Sequence, residues 1–389
     1  MAMLSIVIPA YDEEEAIASI LERCLAAREA IREKTGLAVE VVAVDDGSGD
    51  RTREIAARYP EARLVVHPKN RGYGAALMTG FESAKGELLG FLDADGTCDP
   101  EAFIDLCSAL SAEGADLAIG NRLHPGSRMP ITREAGNRLF AFILSTLTGV
   151  DVKDTASGMR VFKRNLLPRL APLPTGLHFT PAMTARAACL RARIVEVPIP
   201  YAERRGRSKL NILEDGFRFL RVILGTVFAY YPLKVFGPMG VFFGALALSY
   251  SLHPVSYYLR QHALKEDMIY RLLTILTLTV CGLVVLAFGI VAQKASDIAT
   301  RRPRGLREDP WLEAASMAIG AATALGGVLL NSRTLLQYLS SGRITLHWAY
   351  VLTGALAVIS GTVLFCFGVT LAIVSHLPRA LGAEEGEAP

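Results

Sequence analysis

Short apolar runs and longer amphipathic stretches alternate from residue 4 to about residue 200. Residues 4–9 (LSIVIP) form a run that is apolar but for Ser5, the pattern of a strand buried on both faces. Residues 39–44 (VEVVAV) repeat it, and 63–66, 87–92 and 115–119 read as further strands. Between them, 16–34, 75–85 and 100–110 carry the spacing of helices. Such βαβ alternation predicts an α/β domain built on a doubly wound, mostly parallel sheet. Ligands of these sheets bind outside the carboxyl ends of the strands, and the polar clusters of this chain fall at those ends.

After Tyr230 the pattern changes. Residues 235–259 and 272–293 carry no charge, and 314–332 and 344–375 are also apolar. A helix needs about 20 apolar residues to cross a bilayer, so a bundle of about four transmembrane helices is expected. The third run is rich in Ala and Gly, as closely packed membrane helices are. Residues 211–231 set Ile212, Leu213, Phe217, Leu220, Ile223 and Leu224 against Glu214, Asp215, Arg218 and Arg221, a composition suited to lying in the headgroup plane. Residues 133–147 fit either the same role or a core helix. The expected organisation is a cytosolic domain over 1–210, an interfacial helix over 211–232, a transmembrane domain over 233–378 and a polar tail over 379–389.

Composition sharpens this. With 51% hydrophobic and 20% charged residues, the chain is neither wholly soluble nor disordered. A net charge of +3 is too small for a nucleic-acid partner. The six cysteines are scattered without a CxxC pair, which argues against a zinc site or a disulfide framework. No cleavable leader is expected, because the apolar run at 4–10 is short and acidic residues follow it. Lys294, Arg301, Arg302, Arg304 and Arg307 crowd the linker between the second and third runs. The positive-inside rule then puts that linker, both termini and the first domain in the cytoplasm.

Three clusters carry chemistry. Asp93-Ala94-Asp95 ends a strand with two carboxylates able to face one Mg²⁺ or Mn²⁺, ions that bind one or two carboxylates plus substrate phosphates. Asp45-Asp46-Gly47-Ser48 can accept from a nucleoside or can cap the next helix. In Lys69-Asn70-Arg71-Gly72-Tyr73-Gly74, two glycines open a helix whose N-terminus favours an anion. That run is not a P-loop.

Taken in order, SIVIPAYDEE, VVAVDDGSGDRT, NRGYGAALMTG, FLDADGT and GNR resemble the family 2 glycosyltransferases of GT-A fold. GNRLF at 136–140, DTASGMRVFKR at 154–164 and VPIPYAERRGRSKLN at 197–211 resemble the polyprenyl-phosphate branch, which includes dolichyl-phosphate mannose synthases and dolichyl- or undecaprenyl-phosphate glucosyltransferases. The resemblance covers about residues 4–230. It implies transfer, with inversion, of one sugar from a UDP- or GDP-linked donor to a polyprenyl phosphate at a lipid bilayer. It implies that Pro9, Tyr11 and Glu13 line the nucleotide pocket, that Asp45 contacts the nucleoside with Asp46 in support, and that Asp93 and Asp95, around Ala94, hold the metal. Arg122 and Arg138 would face sugar or phosphates, and Arg160 would close the acceptor side. Arg204, Arg205 and Lys209 would form a basic clamp, and either Asp95 or Asp154 could orient the acceptor.

Two departures stand out. Thr97 replaces the Gln that joins the metal in mannose synthases, and the QxxRW motif of processive synthases is absent. A lipid-glycan-extending synthase and a transporter subunit with a nucleotide-sensing domain are the alternative readings. The membrane helices are expected chiefly to anchor the chain and to allow homo-oligomerisation.

Overall fold

A computed structural model of the chain describes residues 2–124, 127, 129–202, 212–300 and 310–380. The chain divides into two compact units, Met1–Val227 and Phe228–Pro389.

In the first unit the apolar runs become strands. β1 (Met3–Ala10) pairs in parallel with β2 (Ala38–Asp45), and β2 pairs in parallel with β3 (Arg63–Val66). On its other side β1 pairs in parallel with β4 (Leu88–Phe91). β5 (Leu117–Asn121) is the strand expected near 115–119. Two strands were not legible in the sequence. β6 (Arg160–Lys163) inserts antiparallel between β4 and β5, and β7 (Ile194–Pro198) adds in parallel to β5. The sheet order is β3-β2-β1-β4-β6-β5-β7. This is the mostly parallel, Rossmann-like sheet of the GT-A expectation.

Helices cover both faces, which is why β1 is apolar at every position but Ser5. α1 (Ile17–Thr35), α2 (Thr52–Ala56) and α4 (Phe103–Ala112) pack into one apolar cluster with Ile6 and Ile8. α3 (Tyr73–Ser83), the short α6 (Leu167–Leu170) and α7 (Phe179–Cys189) pack into another with Val7 and Val42. Alternate residues of β1 thus feed opposite layers. α5 (Ile131–Thr148) and α8 (Ile212–Tyr230) are amphipathic. Leu144 of α5 is buried, but Ile131, Leu139 and Phe142 are exposed, Phe142 to 69%. Phe217 of α8 is likewise exposed, while Phe219 is buried and meets Phe140 of α5 edge-on, with ring centroids 6.0 Å apart.

The second unit holds α9 (Pro232–Gln261), α10 (Ile269–Ala299), α11 (Pro310–Ser341) and α12 (Trp348–Ala380). Four helices among the described residues are long and apolar enough to cross a membrane. They pack through glycines. A methyl on Gly361 would lie 2.4 Å from the Ala324 nitrogen, and one on Gly320 would lie 2.4 Å from the Phe365 nitrogen. Gly354, Gly361 and Gly368 recur every seven residues, so one narrow seam of α12 faces its neighbour.

Candidate active site

The carboxyl ends of β1, β2 and β4 open on a cavity of about 540 Å³. Pro9, Tyr11, Glu13 and Asp46 line it from the first two strands, and Asp93, Ala94 and Asp95 line it after β4. A second set comes from the amphipathic helices: Arg133, Asn137 and Phe140 of α5, and Gly216, Arg218 and Phe219 of α8.

Hydrogen bonds between loops fix the first set. The Asp12 N–H donates to Ser48 Oγ (3.0 Å), the Gly49 N–H to Asp12 Oδ1 (2.7 Å) and the Glu13 N–H to Thr52 Oγ1 (2.8 Å). Tyr11 and Glu13 are thereby tied to the loop that follows β2. Asp45, the last residue of β2, is buried and accepts from the Ser48 N–H (3.3 Å). Asp46, also buried, reaches the cavity lining. It accepts from the Arg71 N–H (2.9 Å) and the Gly72 N–H (2.8 Å), and lies 2.6 Å from His67 Nδ1. Asp46 thus anchors the glycine-rich turn before α3. Gly72 sits at φ +100°, where side chains are strained, and a methyl there would lie 2.5 Å from the Thr175 carbonyl.

The Asp93-Ala94-Asp95 pair is held from two directions. The Tyr73 hydroxyl donates to Asp93 Oδ1 (2.7 Å), and burial together with the Asp93 charge pushes that phenol well above its ordinary range. Gly158 gives Asp93 its room, since a methyl there would lie 2.0 Å from Oδ2. Asp95 Oδ1 accepts from the Thr97 N–H (3.1 Å) and hydroxyl (2.7 Å). Thr97 therefore turns its hydroxyl back onto Asp95. Among the described residues no group of three or more His, Cys, Asp or Glu gathers as a ready cage. Two carboxylates in an open cavity do fit Mg²⁺ or Mn²⁺, which take their remaining oxygens from substrate phosphates and water.

Arg122 lines the same cavity and is paired with Asp154. Nε to Oδ2 and Nη2 to Oδ1 are each 2.8 Å, and the Arg122 N–H adds a third bond at 3.0 Å. Asn137 Nδ2 donates to Asp154 Oδ1 (2.6 Å), and the Asp154 N–H donates to Glu196 Oε1 (2.8 Å). Burial alone would raise the Asp154 carboxyl, but the Arg122 charge and hydrogen bonds outweigh it and hold the carboxyl below its ordinary value. Burial would lower the Arg122 guanidinium, and Asp154 raises it instead. Asp154 is therefore a fixed anion that holds Arg122. An acceptor-orienting role for it does not fit, because both its oxygens are taken.

Two further expectations are corrected. Arg160 does not reach the cavity. It is fully buried and donates to the Ser157 carbonyl (3.0 Å), the Thr155 carbonyl (2.8 Å) and Thr184 Oγ1 (2.8 Å). Burial lowers its pKa to about 10. It braces the loop that carries Ala156 and Gly158. Arg138 lies on the outer side of α5, with a side chain 68% exposed and ion-paired to Glu134 (2.6 Å). Arg204, Arg205 and Lys209 lie outside the described residues. The chain approaches that stretch beside the acidic loop, where the Ala202 N–H donates to the Thr97 carbonyl (2.9 Å) and Tyr201 lines the cavity.

Sequence reasoning missed Tyr73, Asn137, Arg133 and Arg218 as cavity residues. All four lie in segments it had marked, but nothing local says which face of a helix a cavity will meet.

The comparisons accord with this geometry. The family described as "Glycosyl transferase family 2" matches residues 5–170. A dolichyl-phosphate hexose transferase of Haloferax volcanii is 37% identical over 218 residues, covering 55% of this chain and 89% of the relative. The chain belongs to the family 2 glycosyl transferases. Two other relatives are similar over less of their length. The low-salt glycan biosynthesis hexosyltransferase Agl6 of the same organism is 37% identical over 225 residues, 57% of this chain and 53% of the relative. An undecaprenyl-phosphate 4-deoxy-4-formamido-L-arabinose transferase of Edwardsiella ictaluri is 31% identical over 217 residues, 54% of this chain and 64% of the relative. The chain thus spans about half the length of Agl6. The family match covers β1 to β6 and the acidic loop, and ends before β7 and α8.

Proposed function

We propose that this chain transfers one sugar from a nucleotide diphosphate sugar to a polyprenyl phosphate, with inversion, at the cytoplasmic face of a membrane. The observation that carries the reading is one cavity with two kinds of wall. The ends of β1, β2 and β4 supply a carboxylate pair and an anchored glycine-rich turn, which suit a nucleoside diphosphate. α5 and α8 supply Arg133, Arg218 and the Phe140–Phe219 pair, which suit a phosphate on an apolar chain.

The residues divide the work. Tyr11 and Glu13 border the nucleoside, with Asp46 holding the turn beside it. Mg²⁺ or Mn²⁺ between Asp93, Asp95 and the donor diphosphate would neutralise charge developing on the leaving group. Arg122, aligned by Asp154, adds a fixed positive charge. Arg133 and Arg218 hold the acceptor phosphate, while Phe140 and Phe219 receive the first part of its prenyl chain. An acceptor oxygen attacks the anomeric carbon as the bond to the diphosphate breaks, inverting the configuration. A phosphate monoester, with a second pKa of about 6, is already largely ionised near neutrality. No base is needed, in keeping with the saturated oxygens of Asp154.

The exposed Ile131, Leu139, Phe142 and Phe217 of α5 and α8 would lie among lipid headgroups. There a prenyl phosphate presents its polar end. The four apolar helices anchor the chain, and the cationic linker between α10 and α11 sets the cytoplasmic side. The test is product formation. Purified full-length protein is incubated with a panel of UDP- and GDP-sugars and with undecaprenyl or dolichyl phosphate. The expected product is a solvent-extractable lipid phosphate sugar whose anomeric configuration is opposite to the donor's. Failure with every pair, or a water-soluble sugar as the only product, would overturn the reading.

A further inference from the structure

The hydroxyl of Tyr73 touches the carboxylate pair from outside the acidic loop, and its placement is rigid. On one side the Arg71 and Gly72 N–H groups are held by Asp46, which His67 supports, and His67 Nε2 in turn lies 3.0 Å from Thr79 Oγ1. On the other side the Gly74 and Ala75 N–H groups both donate to the Thr175 carbonyl (2.6 and 3.2 Å). A methyl on Gly74 would lie 2.1 Å from the Pro174 carbonyl oxygen, so this strand of chain cannot shift outward past residues 174–175. The backbone is thus pinned on both sides of Tyr73. Its ring packs against the apolar cluster that contains Phe81 and Phe179. From there the phenol reaches Asp93 Oδ1 at 2.7 Å, while Gly158 closes against Oδ2.

We infer that Tyr73 is a positioning residue that sets the orientation of Asp93 toward the donor's diphosphate-bound cation, linking the glycine-rich turn to the acidic loop. This rests on the metal-dependent transfer proposed above and deepens it. Outer partners of metal-binding carboxylates fix their rotamer, and their loss commonly costs about 10- to 100-fold in metal affinity or activity. A tyrosine whose only role was packing would not show that loss when its ring is kept.

The test uses Tyr73→Phe in the full-length protein, which removes one oxygen and keeps the ring. Mn²⁺ binding is followed by electron paramagnetic resonance in the presence of UDP or GDP, and transfer kinetics are measured in parallel. Tyr73→Phe is expected to weaken Mn²⁺ binding by about 10- to 100-fold and to lower kcat, with the acceptor KM unchanged. In an Asp93→Asn background the same substitution is expected to have little further effect, because the route through Asp93 is already cut. Unchanged Mn²⁺ affinity in Tyr73→Phe, alongside normal wild-type binding, would overturn the inference and leave the transferase reading intact. Equal loss in both backgrounds would also overturn it. Absence of nucleotide-dependent Mn²⁺ binding in the wild type would remove the underlying reading and the inference with it.

Discussion

Arg122 and Asp154 form a two-pronged ion pair at the edge of the cavity, with two side-chain contacts of 2.8 Å each. The arginine lines the cavity, and the aspartate behind it is fully buried. Asp154→Ala would leave Arg122 without its partner in a low-dielectric site. Breaking one side of a buried pair costs about 3–5 kcal/mol. A matching fall in thermal stability is expected in detergent-purified protein. It is measurable with a thiol-reactive dye that reports exposure of the buried Cys24, Cys98, Cys107 and Cys189.

The same pair gives stability a pH dependence. The Asp154 carboxyl is held below its ordinary value in the folded state. Its contribution is therefore present above the unfolded carboxylate pKa of about 3.9 and is lost as pH falls through the lower folded value. Asp154→Asn should flatten the acid side of the stability profile. A profile unchanged by the substitution would place the acid-sensitive group elsewhere.

Arg160 and Arg138 should behave oppositely to catalytic arginines. Removing Arg160 strips hydrogen bonds from two buried carbonyls and Thr184. Arg160→Ala is expected to destabilise the fold by about 3 kcal/mol or more. Arg138→Ala removes a solvated surface pair worth about 0.3–0.5 kcal/mol, and turnover should stay within about twofold of wild type. In contrast, Arg133→Ala and Arg218→Ala should raise the acceptor KM while leaving the donor KM unchanged. Steady-state kinetics against each substrate separate these cases.

Gly158→Ala would drive a methyl to within 2.0 Å of Asp93 Oδ2. The carboxylate must turn or the loop must move, and a misplacement of about 1 Å can lower turnover by about 100-fold. The expected result is loss of transfer with a melting temperature close to wild type.

In the membrane unit, Gly361→Leu places carbon 2.4 Å from the Ala324 nitrogen. Overpacking of this kind costs about 1–3 kcal/mol, so α11 and α12 should separate and the detergent-solubilised protein should melt earlier. Thr353→Leu, at an exposed position of the same helix, serves as the volume control.

The strands β1 to β5 and the acidic loop were legible because a strand buried on both faces must be apolar and because its polar loop must follow its carboxyl end. β6 and β7 escaped. Each is four or five residues long, and β6 takes its place by long-range pairing with β4 and β5. Arg160 opens β6, so its burial is decided by that pairing, and no local pattern records it. Arg133 and Arg138 show the corresponding limit on a helix. At 3.6 residues per turn, five positions separate their directions by about 140°. One therefore meets the cavity while the other meets solvent, and which is which depends on how α5 docks.

The carboxylate pair is the centre of the proposal, and metal withdrawal and return tests it most directly. Sugar transfer to polyprenyl phosphate is measured in full-length protein after chelation with EDTA, and again after adding Mg²⁺ or Mn²⁺, for wild type and Asp95→Asn. Wild-type transfer should vanish with EDTA and return with either ion, and Asp95→Asn should stay inactive throughout while keeping its melting temperature. Transfer that persists in EDTA, or a fully active Asp95→Asn protein, would contradict the assignment.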